Sequence, residues 1–209
     1  MSHRHPIFAR YYARVSPLME VGVGPYRQKL VAGVSGRVIE VGAGNGLNFA
    51  HYPATVTEVI AVEPEPHLRS IAEANAALTA VPIKVVDATA DDLPAGEGQC
   101  DVAVVSLVLC SVPDQDRALA EIRRVLKPGG ELRFFEHVGA ATPGRRRVQR
   151  ALDATIGPPL VGGCHVGRDT RAAIERSGFT IDWIDQLTSA DTKMTFPTAP
   201  QILGTATRR

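Results

Sequence analysis

Short apolar runs alternate with amphipathic segments through most of the chain. Runs rich in Val and Ile are typical of buried parallel strands, whereas the segments between them repeat their apolar positions at helical spacing. The runs predict strands over 37–41, 57–63, 82–87, 100–107, 131–137, 179–184 and 201–206. The segments predict helices over 64–78, 114–125 and 170–177. Strands that alternate with helices indicate an α/β fold with a mainly parallel sheet.

A helical cap is predicted at the N-terminus, over residues 1–35. Apolar residues recur at helical spacing ahead of Pro25, and a second short helical pattern follows that proline. Tyr11 and Tyr12 precede the core, so the cap could close over a bound ligand. Packing of a plain amphipathic helix on the sheet is an equally good interpretation.

The first strand passes directly into three glycines at alternate positions, Gly42, Gly44 and Gly46, which follow Glu40. Glycine allows positive φ and the close approach of a ligand, and a helix predicted from Leu47 would direct backbone N–H groups at an anionic group. A dinucleotide site needs a third small residue at the position that Leu47 occupies, so nicotinamide and flavin cofactors are not favoured. An ordinary glycine-rich turn without a ligand is the alternative.

Three successive strands end in an acid, at Glu40, Glu63 and Asp87. The carboxyl ends of parallel strands meet at one edge of a doubly wound sheet, where ligands bind. Glu63 comes about 20 residues beyond the glycines, where an acid can accept hydrogen bonds from ribose hydroxyls. The alternative is that Glu63 only interacts with the dipole of the following helix.

Composition narrows the classes of function. The chain has 209 residues, of which 44% are hydrophobic and 22% charged, with a net charge of +1. These values suit one domain with an ample core and argue against a general nucleic-acid binder. No apolar run is long enough to span a bilayer and no secretory signal opens the chain, so we expect a cytoplasmic protein without a membrane anchor. The sequence leaves the oligomeric state open.

Cysteine and basic residues add less. Three widely spaced cysteines favour reduced thiols over a disulfide framework. Cys164 and His165 are adjacent, so a strand would point them apart, and no third ligand lies nearby in the sequence; no metal site is predicted. Residues 139–170 are predicted to form a lid. The basic run 145–150 within it could attract an acidic substrate, although a solvated helix face is favoured.

Taken together, these motifs resemble the cofactor-binding core of the class I S-adenosylmethionine-dependent methyltransferases of the small type 11 group, over about residues 36–138. The motifs are Glu40 with Gly42, Gly44 and Gly46, then Glu63, Asp87-Ala88 and the stretch 124–130. A narrower similarity, to the thiol S-methyltransferase-like proteins, runs through 107–112, 135–138, Gly163-Cys164 and Arg168.

The resemblance implies a Rossmann-like, doubly wound sheet of seven strands in the order 3-2-1-4-5-7-6, with the last strand antiparallel. It also implies one methyltransferase domain over residues 1–209. The cap would occupy 1–35, the cofactor-binding core 36–138, the lid 139–170, and a C-terminal helix and strands 171–209.

S-adenosyl-L-methionine is the cofactor that the resemblance implies, and the site residues follow residue by residue. Glu40, Gly42 and Gly44 would hold its methionine end, Glu63 the ribose, Asp87 and the Ala88 backbone the adenine, and the Ser106-Leu107 backbone the amino group. Ala43, Gly46, Pro64 and Tyr12 complete the expected set. His137, at the end of the fifth strand, is the candidate catalytic residue, with a purely structural histidine as the alternative.

The predicted reaction is methyl transfer to a small-molecule nucleophile. A thiol is slightly favoured, because a thiol with a pKa near 8.5 is already a few per cent thiolate at neutral pH and needs no protein base. Hydroxyl or amine acceptors, from secondary metabolism or quinone biosynthesis, are the first alternative. A cofactor-binding protein without turnover is the second.

Overall fold

The computed structural model describes residues 6–155 and 162–209. Its sheet has the order β3-β2-β1-β4-β5-β7-β6, and β7 runs antiparallel to both β5 and β6. The predicted order and the antiparallel last strand are confirmed. The strands are β1 Gly36–Val41, β2 Val56–Val62, β3 Ile83–Val86, β4 Cys100–Ser106, β5 Leu126–His137, β6 Phe179–Leu187 and β7 Gln201–Arg208.

Helices cover both faces of this sheet, which is why its central strands are apolar on both sides. They are α1 Pro6–Val31, α2 Pro66–Ala76, α3 Gln115–Val125, α4 Pro143–Asp153, α5 Thr170–Arg176 and α6 Ser189–Thr192. Side chains alternate along a strand. Ile39 of β1 therefore packs in one core layer with α3, whereas Val38 packs in the other with α1. Glu40 points to the α1 side.

The N-terminal cap is one continuous helix, so the prediction of two helical segments on either side of Pro25 is wrong. Proline inside a helix removes a hydrogen bond and costs about 3 kcal/mol. The helix α1 contains both Pro17 and Pro25 and continues through them. Val23 and Leu30 of this helix are buried against the sheet, and this tertiary packing outweighs the local cost.

The helix expected from Leu47 is also absent. Turns follow the glycines, and they end in a single turn of 3₁₀ helix, Phe49–His51. Tyr52 then has φ −64° and ψ 128°, the extended conformation that a residue before proline prefers, and Pro53 follows it. The argument from a helix dipole at the glycine turn therefore does not apply.

The other differences lie at element ends and in the lid. The strand β5 begins at Leu126, because Leu126 pairs with Cys100 ahead of a register shift. Within the predicted lid, the arginines of the basic run lie on the exposed face of α4, as expected for a solvated helix face. Residues 1–5 of the cap and 156–161 of the lid lie outside the described residues. Over the described ranges, no helix combines the length and apolarity that crossing a bilayer requires.

A buried carboxylate fastens the glycine turn to β1. Glu40 is 1% exposed, and its two oxygens accept hydrogen bonds from Asn48 Nδ2 at 2.8 Å and from the Tyr52 hydroxyl at 2.7 Å. Burial raises the pKa of Glu40 to about 7, although both hydrogen bonds act in the opposite direction. The turn that leaves β1 is thus tied back to the end of the strand.

The same network attaches α1. Arg27, which is 6% exposed, donates from Nη1 to Asn48 Oδ1 at 3.2 Å and to Ser106 Oγ at 2.9 Å. Its Nε donates to Glu20 at 2.9 Å. One guanidinium therefore joins the cap, the segment after the glycine turn and the end of β4.

Replacing Glu40 by Gln is expected to flatten the dependence of stability on pH. The unfolded chain releases this proton near pH 4.5 and the folded chain near pH 7. Folding therefore retains a proton in this window, so the free energy of unfolding falls as pH rises from about 4.5 to about 7, by about 3 kcal/mol at about 1.4 kcal/mol per pKa unit. Urea unfolding at about pH 5 and about pH 8 measures the slope.

Glu73→Gln is the matched control, because Glu73 is exposed on α2 and should keep the wild-type slope. Glu63 and Glu136, whose pKa values burial also raises, leave a residual slope in Glu40→Gln. A Glu40→Gln chain with the full wild-type slope would contradict this assignment.

Candidate functional site

The glycine turn has one crowded side and one open side. Gly42 and Gly44 have φ of 68° and 58°, in the left-handed region that favours glycine. A Cβ at Gly42 would lie 2.6 Å from Val108 Cγ2, so this glycine lets the segment after β4 pack on the turn. A Cβ at Gly44 would meet only a ring carbon of Tyr12, at 3.6 Å. The surroundings of Gly44 are therefore less crowded than those of Gly42, with the ring of Tyr12 as the nearest neighbour.

Glu63 lies against this open side. Its Oε2 accepts from the Gly44 N–H at 2.8 Å, and its Oε1 accepts from the Glu65 N–H at 2.9 Å. Burial raises the pKa of Glu63, and the two backbone donors oppose that rise. Pro64, between the two glutamates, is half-buried. The acid at the end of β2 and the glycine turn at the end of β1 meet, as the sequence predicted.

Asp87 is placed differently. It is exposed at the end of β3 and forms an ion pair with Arg69 Nη2 at 3.0 Å. Arg69 Nη1 also donates to the Glu63 carbonyl oxygen at 2.9 Å, so this arginine bridges the ends of β2 and β3. Ala88 is half-buried and packs against the core.

At the end of β4 the chain turns sharply. Leu107 has φ 60°, which is uncommon for a residue with a side chain, and its N–H donates to the Phe135 carbonyl oxygen at 2.7 Å. Such a conformation costs about 1–3 kcal/mol and occurs preferentially at functional sites. It turns the backbone of Ser106 and Leu107 at the sheet edge where the sequence predicted a role for it.

Glu136 holds the loop beyond Leu107, and sequence reasoning missed it. This carboxylate is fully buried and accepts three backbone N–H groups, from Val108 at 2.8 Å, Leu109 at 2.9 Å and Cys110 at 3.1 Å. Burial raises the pKa of Glu136 in spite of these donors. An acid inside the apolar run of a central strand was the available signal, since buried acids are rare unless they are hydrogen-bonded.

The cap covers the glycine turn from above. Tyr12 stacks on Phe8 with ring centroids 5.8 Å apart, and burial raises the pKa of its phenol while Arg27 lowers it. Ser16 Oγ accepts from Asn45 Nδ2 at 3.0 Å, which fixes α1 to the turn itself. Arg27 and Ser16 were not predicted, because polar residues on an amphipathic helix usually face solvent.

His137 ends β5 beside two cysteines. Its Nδ1 lies 3.5 Å from Cys110 Sγ and 3.4 Å from Cys164 Sγ. The sequence analysis found no third ligand near Cys164 and His165. In the structure Cys164 lies beside Cys110 and His137, which are distant from it in sequence, and His165 is not part of this group. The hydrogen bond with Cys164, followed by burial, raises the pKa of Cys110 well above its ordinary value. A catalytic role for His137 stays a prediction.

The chain is similar in sequence to known methyltransferases. A family model for a methyltransferase domain matches residues 39–134. Thiol S-methyltransferase TMT1A of Homo sapiens is 39% identical over 157 residues, which cover 71% of this chain and 63% of that protein. Thiol S-methyltransferase TMT1B of Mus musculus is 34% identical over 191 residues, which cover 86% of this chain and 75% of that protein.

A solved structure shares the fold. Geranyl diphosphate C-methyltransferase from Streptomyces coelicolor A3(2), in complex with Mg²⁺, geranyl diphosphate and S-adenosyl-L-homocysteine, superposes with a TM-score of 0.71 at 14% identity. The superposition covers 98% of this chain and 85% of that one. The chain therefore belongs to the family of S-adenosylmethionine-dependent methyltransferases that includes the thiol S-methyltransferases.

Proposed function

We propose that this chain transfers a methyl group from S-adenosylmethionine to the sulfur of a small-molecule thiol. The observation that carries the proposal is the similarity to thiol S-methyltransferase TMT1B, which spans 86% of the chain. An acceptor with a hydroxyl or amine group is the alternative. Membership of a methyltransferase family sets aside the sequence-based alternative of a binding protein without turnover.

The residues around the glycine turn fit the cofactor. Gly44 has no side chain, so a ligand between it and Tyr12 could approach the backbone closely, and a Cβ there would take part of that room. Glu63 accepts one backbone donor on each oxygen, and each oxygen has a second lone pair for a ribose hydroxyl. The backbone of Ser106 and Leu107 would accept from an amino group. Asp87 and the Ala88 backbone would reach the adenine.

S-adenosylmethionine supplies a methyl group that is already activated as part of a sulfonium. The remaining tasks for the protein are to position the reactants and to exclude water. Tyr12 lies over Gly44 and Ser16 binds the turn, so α1 would shield the cofactor from solvent. The predicted lid, of which residues 139–155 and 162–170 are described, would cover the acceptor side.

The state of the buried acids supports a thiol acceptor. Glu40 and Glu136 are 1% and 0% exposed, and their hydrogen bonds are made to groups of the protein itself, so neither is presented to an acceptor. A thiol ionises without such help near neutral pH, whereas a hydroxyl requires a positioned base. For the alternative acceptor, His137 is the candidate base.

Removing Glu63 is expected to weaken cofactor binding. Loss of hydrogen bonds to a charged acceptor costs about 1.5–3 kcal/mol, so Glu63→Ala should bind S-adenosylmethionine and its demethylated product about 10- to 150-fold more weakly. Isothermal titration calorimetry measures both affinities, with NAD as a ligand that should not bind. Glu73→Ala on the exposed face of α2 is the control for the loss of one charge. Wild-type affinity in Glu63→Ala would remove Glu63 from the ribose role.

Two adjacent tyrosines test the cap. Tyr12 faces Gly44, whereas Tyr11 is 61% exposed, so the pair provides its own control. Tyr12→Ala should weaken cofactor binding by about 1–2 kcal/mol through the lost apolar contact, and Tyr11→Ala should leave it unchanged. Calorimetry and turnover report the two effects. Equal affinities in the two variants would assign Tyr12 to packing alone.

The acceptor is tested by the pH dependence of kcat/KM. Two thiols are compared whose pKa values differ from each other by about two units, in the range around the usual 8.5. If the acceptor ionises by itself, each profile rises with pH and levels off at the pKa of that thiol. If a protein base removes the proton, both profiles share one apparent pKa that belongs to the enzyme. Transfer of a labelled methyl group provides the rates.

A phenol completes the experiment. Under the alternative, the phenol is methylated and His137→Gln lowers that rate by about 10²- to 10⁴-fold, the usual contribution of a general base. Transfer to the phenol without transfer to any thiol would overturn the thiol proposal, while leaving the chain a methyltransferase.

A further inference from the structure

A compact group of soft ligands lies at the carboxyl edge of β4 and β5. The Cys–His cluster consists of Cys110 from the loop after β4, His137 from the end of β5, and Cys164 from the segment Gly162–Arg168. Their ligand atoms all lie within 4.8 Å of one another. The three residues are 0%, 6% and 7% exposed, in the same order.

The distances in the cluster match those of ligands that share one ion. His137 Nδ1 lies 3.5 Å from one sulfur and 3.4 Å from the other. Bond lengths of about 2.3 Å for Zn–S and about 2.05 Å for Zn–N, at the tetrahedral angle, place a sulfur and a nitrogen about 3.6 Å apart. A disulfide between the cysteines would not require the imidazole to be equidistant from both sulfurs.

The charges also suit a divalent ion in a buried place. Two thiolates and one neutral imidazole give a zinc complex with no net charge, so its burial avoids the cost of an unpaired ion. Thiolate and imidazole ligands select Zn²⁺ over the hard ions Mg²⁺ and Ca²⁺. His137 Nε2 is buried and has no hydrogen-bond partner in the described part of the chain, so the polar contacts of this ring there are those of Nδ1 with the two sulfurs.

Hydrogen bonds that need no metal hold together the two segments that carry Cys110 and Cys164. Glu136 accepts the Cys110 N–H at 3.1 Å, and the Cys110 carbonyl oxygen accepts the His165 N–H at 2.7 Å. Arg168 Nη1 donates to the carbonyl oxygens of Leu109 and Val112, both at 2.7 Å. The loop after β4 and the segment Gly162–Arg168 are therefore already docked, and the ligands are preorganised.

We propose that Cys110, His137 and Cys164 bind one Zn²⁺ ion through the two sulfurs and the imidazole Nδ1. Within residues 6–155 and 162–209, no fourth ligand of this kind joins the group. The fourth position is therefore left for water or a small exogenous ligand, as in zinc sites that have three protein ligands. The ion ties the segment Gly162–Arg168 to the ends of β4 and β5. The zinc site requires no particular methyl acceptor, but a His137 that binds zinc through Nδ1 would not be available as the base for a hydroxyl acceptor.

Metal content tests the proposal directly and without turnover. The reduced, tag-free chain is dialysed against buffered Zn²⁺ and analysed by mass spectrometry for bound metal. Wild type should hold one zinc per chain, and Cys164→Ser should hold less than a tenth of that. Substitution by Co²⁺ should give thiolate-to-cobalt charge-transfer absorption and the intense visible bands of tetrahedral cobalt. The midpoint of thermal unfolding should rise with free Zn²⁺ in wild type but not in Cys164→Ser, because the ion binds the folded chain.

Two controls exclude other zinc ligands. Cys100→Ala removes the buried cysteine at the opposite end of β4 and should keep one zinc per chain. A chain with His3→Ala and His5→Ala removes the terminal histidines and should keep it as well. A Cys110→Ser variant can be measured in the same way. If that variant does not fold, Cys164→Ser and the wild-type measurement together still test whether the cluster binds zinc.

Three results would overturn the proposal. The first is a reduced wild-type chain that takes up no zinc or cobalt. The second is a Cys164→Ser variant that binds zinc as tightly as wild type. A Cys110–Cys164 disulfide in place of bound metal, in protein purified with a reductant, would identify the pair as a redox couple instead.

Discussion

A buried carboxylate at the end of a central strand needs hydrogen-bond donors, and this requirement organises the edge of the sheet where the glycine turn lies. Glu40 is buried on the α1 side of the sheet, where an unpaired acid would be costly. Its donors come from the segment that follows the glycine turn, and Asn48 in turn accepts from Arg27 of α1. The acid therefore determines the path of the chain after the glycines. It also ties α1 to this turn, through Asn48 and Arg27.

A second buried carboxylate that needs hydrogen-bond donors lies on β5, the strand next to β4. Glu136 on β5 is as deeply buried as Glu40, but its donors are backbone N–H groups of the loop after β4. The consequence is the sharp left-handed turn at Leu107 and a fixed position for Cys110. Two buried acids thus shape two loops at this edge of the sheet. Glu40 acts through side-chain donors, and Glu136 acts through backbone N–H groups.

Much of the fold could be predicted because it depends on patterns that are local in sequence. Apolar runs identified the strands, and the acids at their ends identified the edge where Glu63 meets Gly44. The resemblance to methyltransferases supplied the strand order. The helix expected from Leu47 failed because two side chains reach back to Glu40 and a proline follows at Pro53. Local propensity alone does not contain those long-range contacts.

Some side chains around the site were missed in the sequence analysis, for a different reason. Arg27 resembled an ordinary surface arginine until the fold placed Ser106, 79 residues away, within 2.9 Å of it. The two cysteines are each 27 residues from His137, on opposite sides of it in the sequence, so no spacing rule for metal ligands applied. The crossover between the parallel strands β4 and β5 brings such residues to one edge of the sheet, because the carboxyl ends of both strands lie there. Residues that carry chemistry at this edge therefore become recognisable only when the topology is known, however clear the individual strands are.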